Sequence, residues 1–126
     1  TPERTVLVAD DDPHIRMLLR GFLSAKPGLR VLEAANGIAA VEVLLREKID
    51  LLVLDLNMPG MNGLEVASVL RGNPATRDLR IVMFTTEGDA YTRRKAMAQG
   101  INYYVTKPFN PVDFDRILSG LLGSLS

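Results

Sequence analysis

The stretch "TVLVADDDPHIR", residues 5–16, decides the fold. Apolar or β-branched residues run without alternation from Thr5 to Ala9, three carboxylates follow at Asp10, Asp11 and Asp12, and Pro13 opens a segment of helical periodicity. A strand that is apolar at every position, rather than at every second one, is covered on both faces, as in a parallel sheet. Asp followed by Pro reads as an N-cap with Pro at the first helical position. One cap needs only one carboxylate, so Asp12 is assigned to it and Asp10 and Asp11 are left over. Two carboxylates about 5 Å apart repel by roughly 3 kcal/mol at an effective dielectric near 20. The cluster at this strand end therefore calls for a compensating charge.

Outward from that stretch the pattern repeats. Short β-branched or apolar runs predict strands at Thr5 to Ala9, Arg30 to Ala34, Leu51 to Leu54, Arg80 to Phe84 and Tyr103 to Val105. Helical periodicity fills the intervals. In the first helix Ile15, Leu18, Leu19, Phe22 and Leu23 fall on one face, and "KPG" at 26–28 stops it. The others are expected at Ile38 to Lys48, Leu64 to Arg71, Ala90 to Gln99 and Val112 to Leu122, with Gly100 at the C′ position of the fourth. Alternation of strand and helix through short connections predicts a doubly wound α/β domain, a single unit over residues 1–126.

Composition narrows the function classes. A chain of 126 residues with 47% hydrophobic content suffices for one core. Lys+Arg and Asp+Glu number 15 each, for a formal net charge of +0, so the basic excess of a nucleic-acid binder is missing and no direct nucleic-acid contact is expected. The absence of Cys excludes disulfides, thiolate metal sites and a Cys nucleophile. No signal-peptide pattern and no apolar run near the roughly 18 residues of a membrane span is found, so a cytoplasmic location away from the membrane is the expectation.

In a parallel sheet all C-terminal strand ends emerge at one edge, where ligands bind at the switch in strand order. Asp10, Asp11 and Asp12 follow the first strand, Asn36 and Gly37 the second, Asp55 the third, Thr85 and Thr86 the fourth, and Lys107 the fifth. Carboxylates, hydroxyls and an ammonium thus converge from separate parts of the chain. An all-oxygen set without Cys or a nearby His favours magnesium, or manganese in its place, and magnesium characteristically binds few carboxylates together with a phosphate. An Asp can attack phosphorus to give an acyl phosphate while a metal, a Lys and a hydroxyl stabilise the phosphoryl oxygens. Asp55, alone on its strand end before the turn-rich "MPGMNG", is the candidate nucleophile.

Taken together, "VLVADDDPHIR", "LLVLDLNMPGMNGLE", "IVMFTTEGD" and "YYVTKPF", in this order and spacing, resemble the receiver domain of two-component response regulators over essentially the whole chain. The resemblance implies a flavodoxin-like fold of strand order 2-1-3-4-5, with Asp55 phosphorylated by a partner histidine kinase. It implies that Asp10 and Asp11 hold magnesium, Asp11 as the direct ligand, together with Asp55 and the backbone carbonyl of Asn57. It makes Thr85 and Lys107 the hydroxyl and ammonium that contact the phosphoryl group, and Tyr104 an aromatic switch that rotates inward when Thr85 moves. The surface of the fourth helix, fifth strand and fifth helix would then change its affinity for a downstream protein target. A cis Lys107-Pro108 bond is implied as well. Asn57 and Glu87 match positions that tune phosphoryl lifetime. Together with "TTEG" and "RGNPATRDLRIVMF", they make stand-alone chemotaxis and motility receivers the most similar group, either monomeric or dimerising on phosphorylation. Such a protein is no enzyme beyond its own phosphorylation and dephosphorylation. Thr86 and Ile101 are bulkier than the residues usual at their places in the family.

Other readings compete. A receiver excised from a longer regulator with a DNA-binding or enzymatic output domain would share every motif. A phosphohydrolase with an Asp nucleophile needs a second acid two residues later, where Asn57 stands. A flavodoxin-like electron carrier needs a hydroxyl- or Gly-rich phosphate loop, and "DDDP" would repel the flavin phosphate. His14 and "RRK" at 93–95 read as solvated side chains.

Overall fold

Every apolar run becomes a strand in the computed structural model, which describes residues 3–86, 88–108 and 110–123. The order is β1 (Arg4–Ala9), α1 (Pro13–Ser24), β2 (Leu29–Ala34), α2 (Gly37–Arg46), β3 (Leu51–Leu54), α3 (Gly63–Arg71), β4 (Arg80–Thr85), α4 (Ala90–Ala98), β5 (Tyr103–Thr106) and α5 (Pro111–Gly123). The strands form one parallel sheet in the order β2-β1-β3-β4-β5, as expected. Chain order reverses direction beside β1, which pairs with β2 on one side and β3 on the other. A crevice at the carboxyl ends of β1 and β3 follows from that switch.

Unbroken apolar strands feed two cores. Leu7, Ala9, Leu52, Leu54, Ile81 and Met83 face α2, α3 and α4, whereas Val6, Val8, Leu51, Val53, Val82 and Phe84 face α1 and α5. Successive side chains point to opposite faces, so the central positions of a strand serving both cores are all apolar.

Leu18 was expected on the inner face of α1, yet it is 57% exposed; Leu19 and Leu23 carry the buried contact. The buried stripe follows Ile15, Leu19, Phe22 and Leu23, and Leu18 stands off its edge. Gly100 takes the expected C′ position with φ 89°, Ile101 N donates to Ala96 O, Gly100 N donates to Met97 O, and Ile101 is buried against the α3/α4 core. This is a Schellman closure with its hydrophobic contact, and it explains the bulk at Ile101. The Arg71 guanidinium ties this turn to α3, donating to Gly100 O at 2.7 Å and Arg77 O at 2.9 Å. Burial depresses its pKa from the ordinary arginine value.

Candidate functional site

Backbone hydrogen bonds place the polar residues before any side-chain contact does. Asp10 N donates to Ala34 O, Asp55 N to Ala9 O and Lys107 N to Thr85 O, so each is the first residue past its strand and still bonded to the neighbouring one. Ladder pairing therefore carries Asp10, Asp55 and Lys107 to the same edge within the sheet's own register. The expected convergence is what the fold delivers.

Asp10, Asp11 and Asp55 each bring a carboxylate oxygen within 4.8 Å of the other two, with Asp10 and Asp55 buried and Asp11 exposed. Lys107 lies among them, its Nζ 2.8 Å from Asp10 Oδ2 and 3.7 Å from Asp55 Oδ1. One ammonium facing three carboxylates leaves the site short of positive charge. That deficit, with oxygen donors only, fits a hard divalent cation that keeps part of its water shell. Burial pushes the Asp55 carboxyl up to about 6, Asp10 and, more weakly, Asp11 add to the rise, and Lys107 and the Asn57 backbone hydrogen bond hold it down.

Asp12 acts as the N-cap of α1, accepting from His14 N at 2.9 Å, and it stands outside the carboxylate cluster. His14 is exposed, as read. Asn36 caps α2 in the same way by accepting from Ala39 N. Thr85 is fully buried at the end of β4, and Thr86 is exposed. Asn57 is exposed two residues after Asp55. The Lys107-Pro108 bond is cis. Glu87 lies outside the described residues.

Two features of the site were not read from the sequence. In the sequence Gly63 reads as turn chemistry, but a Cβ there would stand 2.5 Å from Asp55 O and 3.0 Å from Leu56 Cα. The helix must begin against the backbone that carries Asp55, and only a residue without a side chain permits it. Gly37 likewise packs against the Met61 carbonyl. The signal was present in "MNG", but glycine read one-dimensionally does not separate a turn from a close approach. The second feature concerns Tyr104. It is already inward, 5% exposed, whereas Tyr103 is 47% exposed. Arg93 of the "RRK" stretch lies 5.5 Å over the Tyr104 ring and donates to Tyr104 O, so this arginine is more than a solvated charge.

The family model described as "Response regulator receiver domain" matches residues 6–119. A chemotaxis protein CheY homolog of Campylobacter jejuni subsp. jejuni is 36% identical over 120 residues, covering 94% of this chain and 92% of the relative. The solved structure of chemotaxis protein CheY4 from Vibrio cholerae superimposes with a TM-score of 0.88 at 30% identity, covering 95% of this chain and 99% of that one. The receiver domain of a sensor histidine kinase from Pseudomonas aeruginosa, solved with a magnesium ion coordinated in its active-site cleft, gives a TM-score of 0.87 at 26% identity, covering 96% and 98%.

Proposed function

The chain belongs to the response regulator receiver domain family, whose members are phosphorylation-dependent signalling switches, and on that premise we propose that Asp55 accepts the phosphoryl group in a magnesium-dependent reaction. The observation that carries this reading is the placement of Asp55: 6% exposed, at the switch point, with Lys107 Nζ at 3.7 Å and two further carboxylates in the same cluster.

Asp10, Asp11, Asp55 and the Asn57 carbonyl would hold the metal. Bound magnesium supplies positive charge to the phosphoryl oxygens. The chain's own groups do the rest. An ionised Asp55 oxygen forms a bond to phosphorus as the P–N bond of a phosphohistidine, or the P–O bond of a small acyl phosphate, breaks and the leaving group keeps the electron pair. Lys107 stands within reach of the oxygens that gain charge, and the Thr85 hydroxyl donates to one of them. The side chains of Asn57 and Glu87, by their places in the family's sequence pattern, set how long the acyl phosphate survives. The chain thereby catalyses only its own phosphorylation and dephosphorylation.

An acyl phosphate at Asp55 carries roughly 1.5 to 2 negative charges where the ionised carboxylate carried one. Drawing Thr85 toward those charges alters the packing between β4, Tyr104 and α4, and shifts the population of the face formed by α4, β5 and α5. That face docks a downstream protein target, and the kinase, the switch and the target meet in the cytoplasm. The similarity to chemotaxis proteins over most of both chains supports a stand-alone regulator of that type, a single domain over the whole sequence.

The test uses acetyl phosphate or beryllofluoride with magnesium. Wild type is expected to show an NMR or mobility change that Asp55→Asn abolishes. Identical behaviour of the two proteins would overturn the assignment of Asp55.

A further inference from the structure

Lys107 must hold its ammonium between two carboxylates before any phosphate arrives, and the hydrogen bonds account for only part of its position. The side chain is 13% exposed, so water does little to fix it. On the face turned toward α1 and α5, β5 presents Tyr103, Val105 and, one step past its end, Lys107, because alternate residues share a face. Phe84 is the residue of β4 in register with Val105, and its side chain belongs to that same core. Lys107 Nζ lies 5.5 Å from the centroid of the Phe84 ring. An ammonium within about 6 Å of an aromatic face is attracted by the ring's negative π density.

The ring is itself held. Phe84 is 1% exposed and stacks on Phe114 of α5, with centroids 5.7 Å apart and planes inclined by 17°. Phe114 in turn stacks on Phe22 of α1 at 5.7 Å. An aliphatic residue would fill the same core volume but would offer the ammonium no quadrupole.

We propose that Phe84 is a positioning residue for phosphoryl transfer: its ring face holds the Lys107 ammonium at the mouth of the Asp55 site. The inference rests on Lys107 acting on the phosphoryl group as described above. Phe84 touches no reacting atom, and its effect runs entirely through Lys107.

The experiment grades the ring's electrostatics at constant shape. Fluorinated phenylalanines of increasing electron withdrawal replace Phe84 in the full chain, and autophosphorylation by acetyl phosphate with magnesium is followed, alongside Phe84→Leu. The rate is expected to fall stepwise with fluorination, to about a fifth of wild type at the most electron-poor ring. The gradient is expected to vanish in a Lys107→Met background, because no cation is left to feel the ring. An independent reading comes from metal-free protein, where Lys107 Cε protons should be shifted upfield by the ring current and return to ordinary positions in Phe84→Leu. Equal rates across the fluorinated series, or the same gradient with and without Lys107, would overturn the role of Phe84. Asp55→Asn, run in parallel, separates the two readings: phosphorylation unaffected by that change would instead sink the assignment of Asp55.

Discussion

At pH 6 about half of the Asp55 carboxyl groups carry a proton in the metal-free protein, because burial penalises the charge and Asp10 repels it. The ordinary carboxyl value is 3.8, so the folded protein binds more protons than the unfolded chain between about 3.8 and about 6. Stability therefore falls as pH rises through that window and stays lower above it. An Asn at this position carries no charge at any pH. In chelator, Asp55→Asn is expected to exceed wild type in stability at pH 7 by on the order of 3 kcal/mol and to converge with it below pH 4, as read from denaturant midpoints. Equal midpoints at pH 7 would mean that the charge is not penalised. Magnesium should narrow the difference by stabilising wild type alone. The same scale governs Gly63. A methyl group there meets Asp55 O at 2.5 Å, so Gly63→Ala is expected to cost about 1 to 3 kcal/mol and to slow phosphorylation together with it. A fully active Gly63→Ala protein of native stability would show that the approach is not tight.

The element that matters most is α1, because its first turn shares the acidic run with the site. Asp12 caps the helix, whereas Asp10 and Asp11 join Asp55. Asp12→Ala is expected to lower stability by about 1 kcal/mol in thermal melts and to leave the magnesium-induced stabilisation intact. Asp11→Ala should do the reverse, sparing the melt in chelator and losing the response to magnesium. If the two variants behaved alike, the division of the run would be wrong. At the far end of the sheet, α3 finishes in Arg71, which satisfies the Gly100 carbonyl at the end of α4. Arg71→Met keeps the stem but removes the donors, and is expected to cost about 1.5 to 3 kcal/mol, with faster amide exchange at Ile101 and Asn102.

Across the whole molecule, the sheet couples two opposite faces through the residues at its carboxyl edge. Asp10, Asp55 and Lys107 are each pinned by a ladder bond to the adjacent strand, so the site is as rigid as the sheet. On one face Tyr104 lies against the α3/α4 core with Arg93 over its ring. On the other, Lys107 lies over Phe84, which continues into the Phe114 and Phe22 stack. A charge change at Asp55 is expected to act on both faces, through Lys107 on one and Tyr104 on the other. Arg93→Met should leave phosphorylation by acetyl phosphate unchanged while broadening or shifting the Tyr104 ring resonances. A ring that stays sharp and unshifted would show that Arg93 does not hold it.

Strand positions, the parallel sheet and the set of edge residues were legible in the sequence because each rests on a local property: unbroken apolar runs, helical periodicity, and polar residues that follow strand ends. The family motifs then tied Asp10, Asp11, Asp55, Thr85 and Lys107 together by order and spacing. Only the tertiary structure decided which neighbours meet across the chain. The exposure of Leu18, the close approach of Gly63 to the Asp55 backbone, the inward Tyr104 beneath Arg93, and the ring beneath Lys107 all depend on distances between segments far apart in sequence. Periodicity records which way a residue points relative to its own element. It carries nothing about what stands opposite, and in this protein the partners across the sheet are what position the charges.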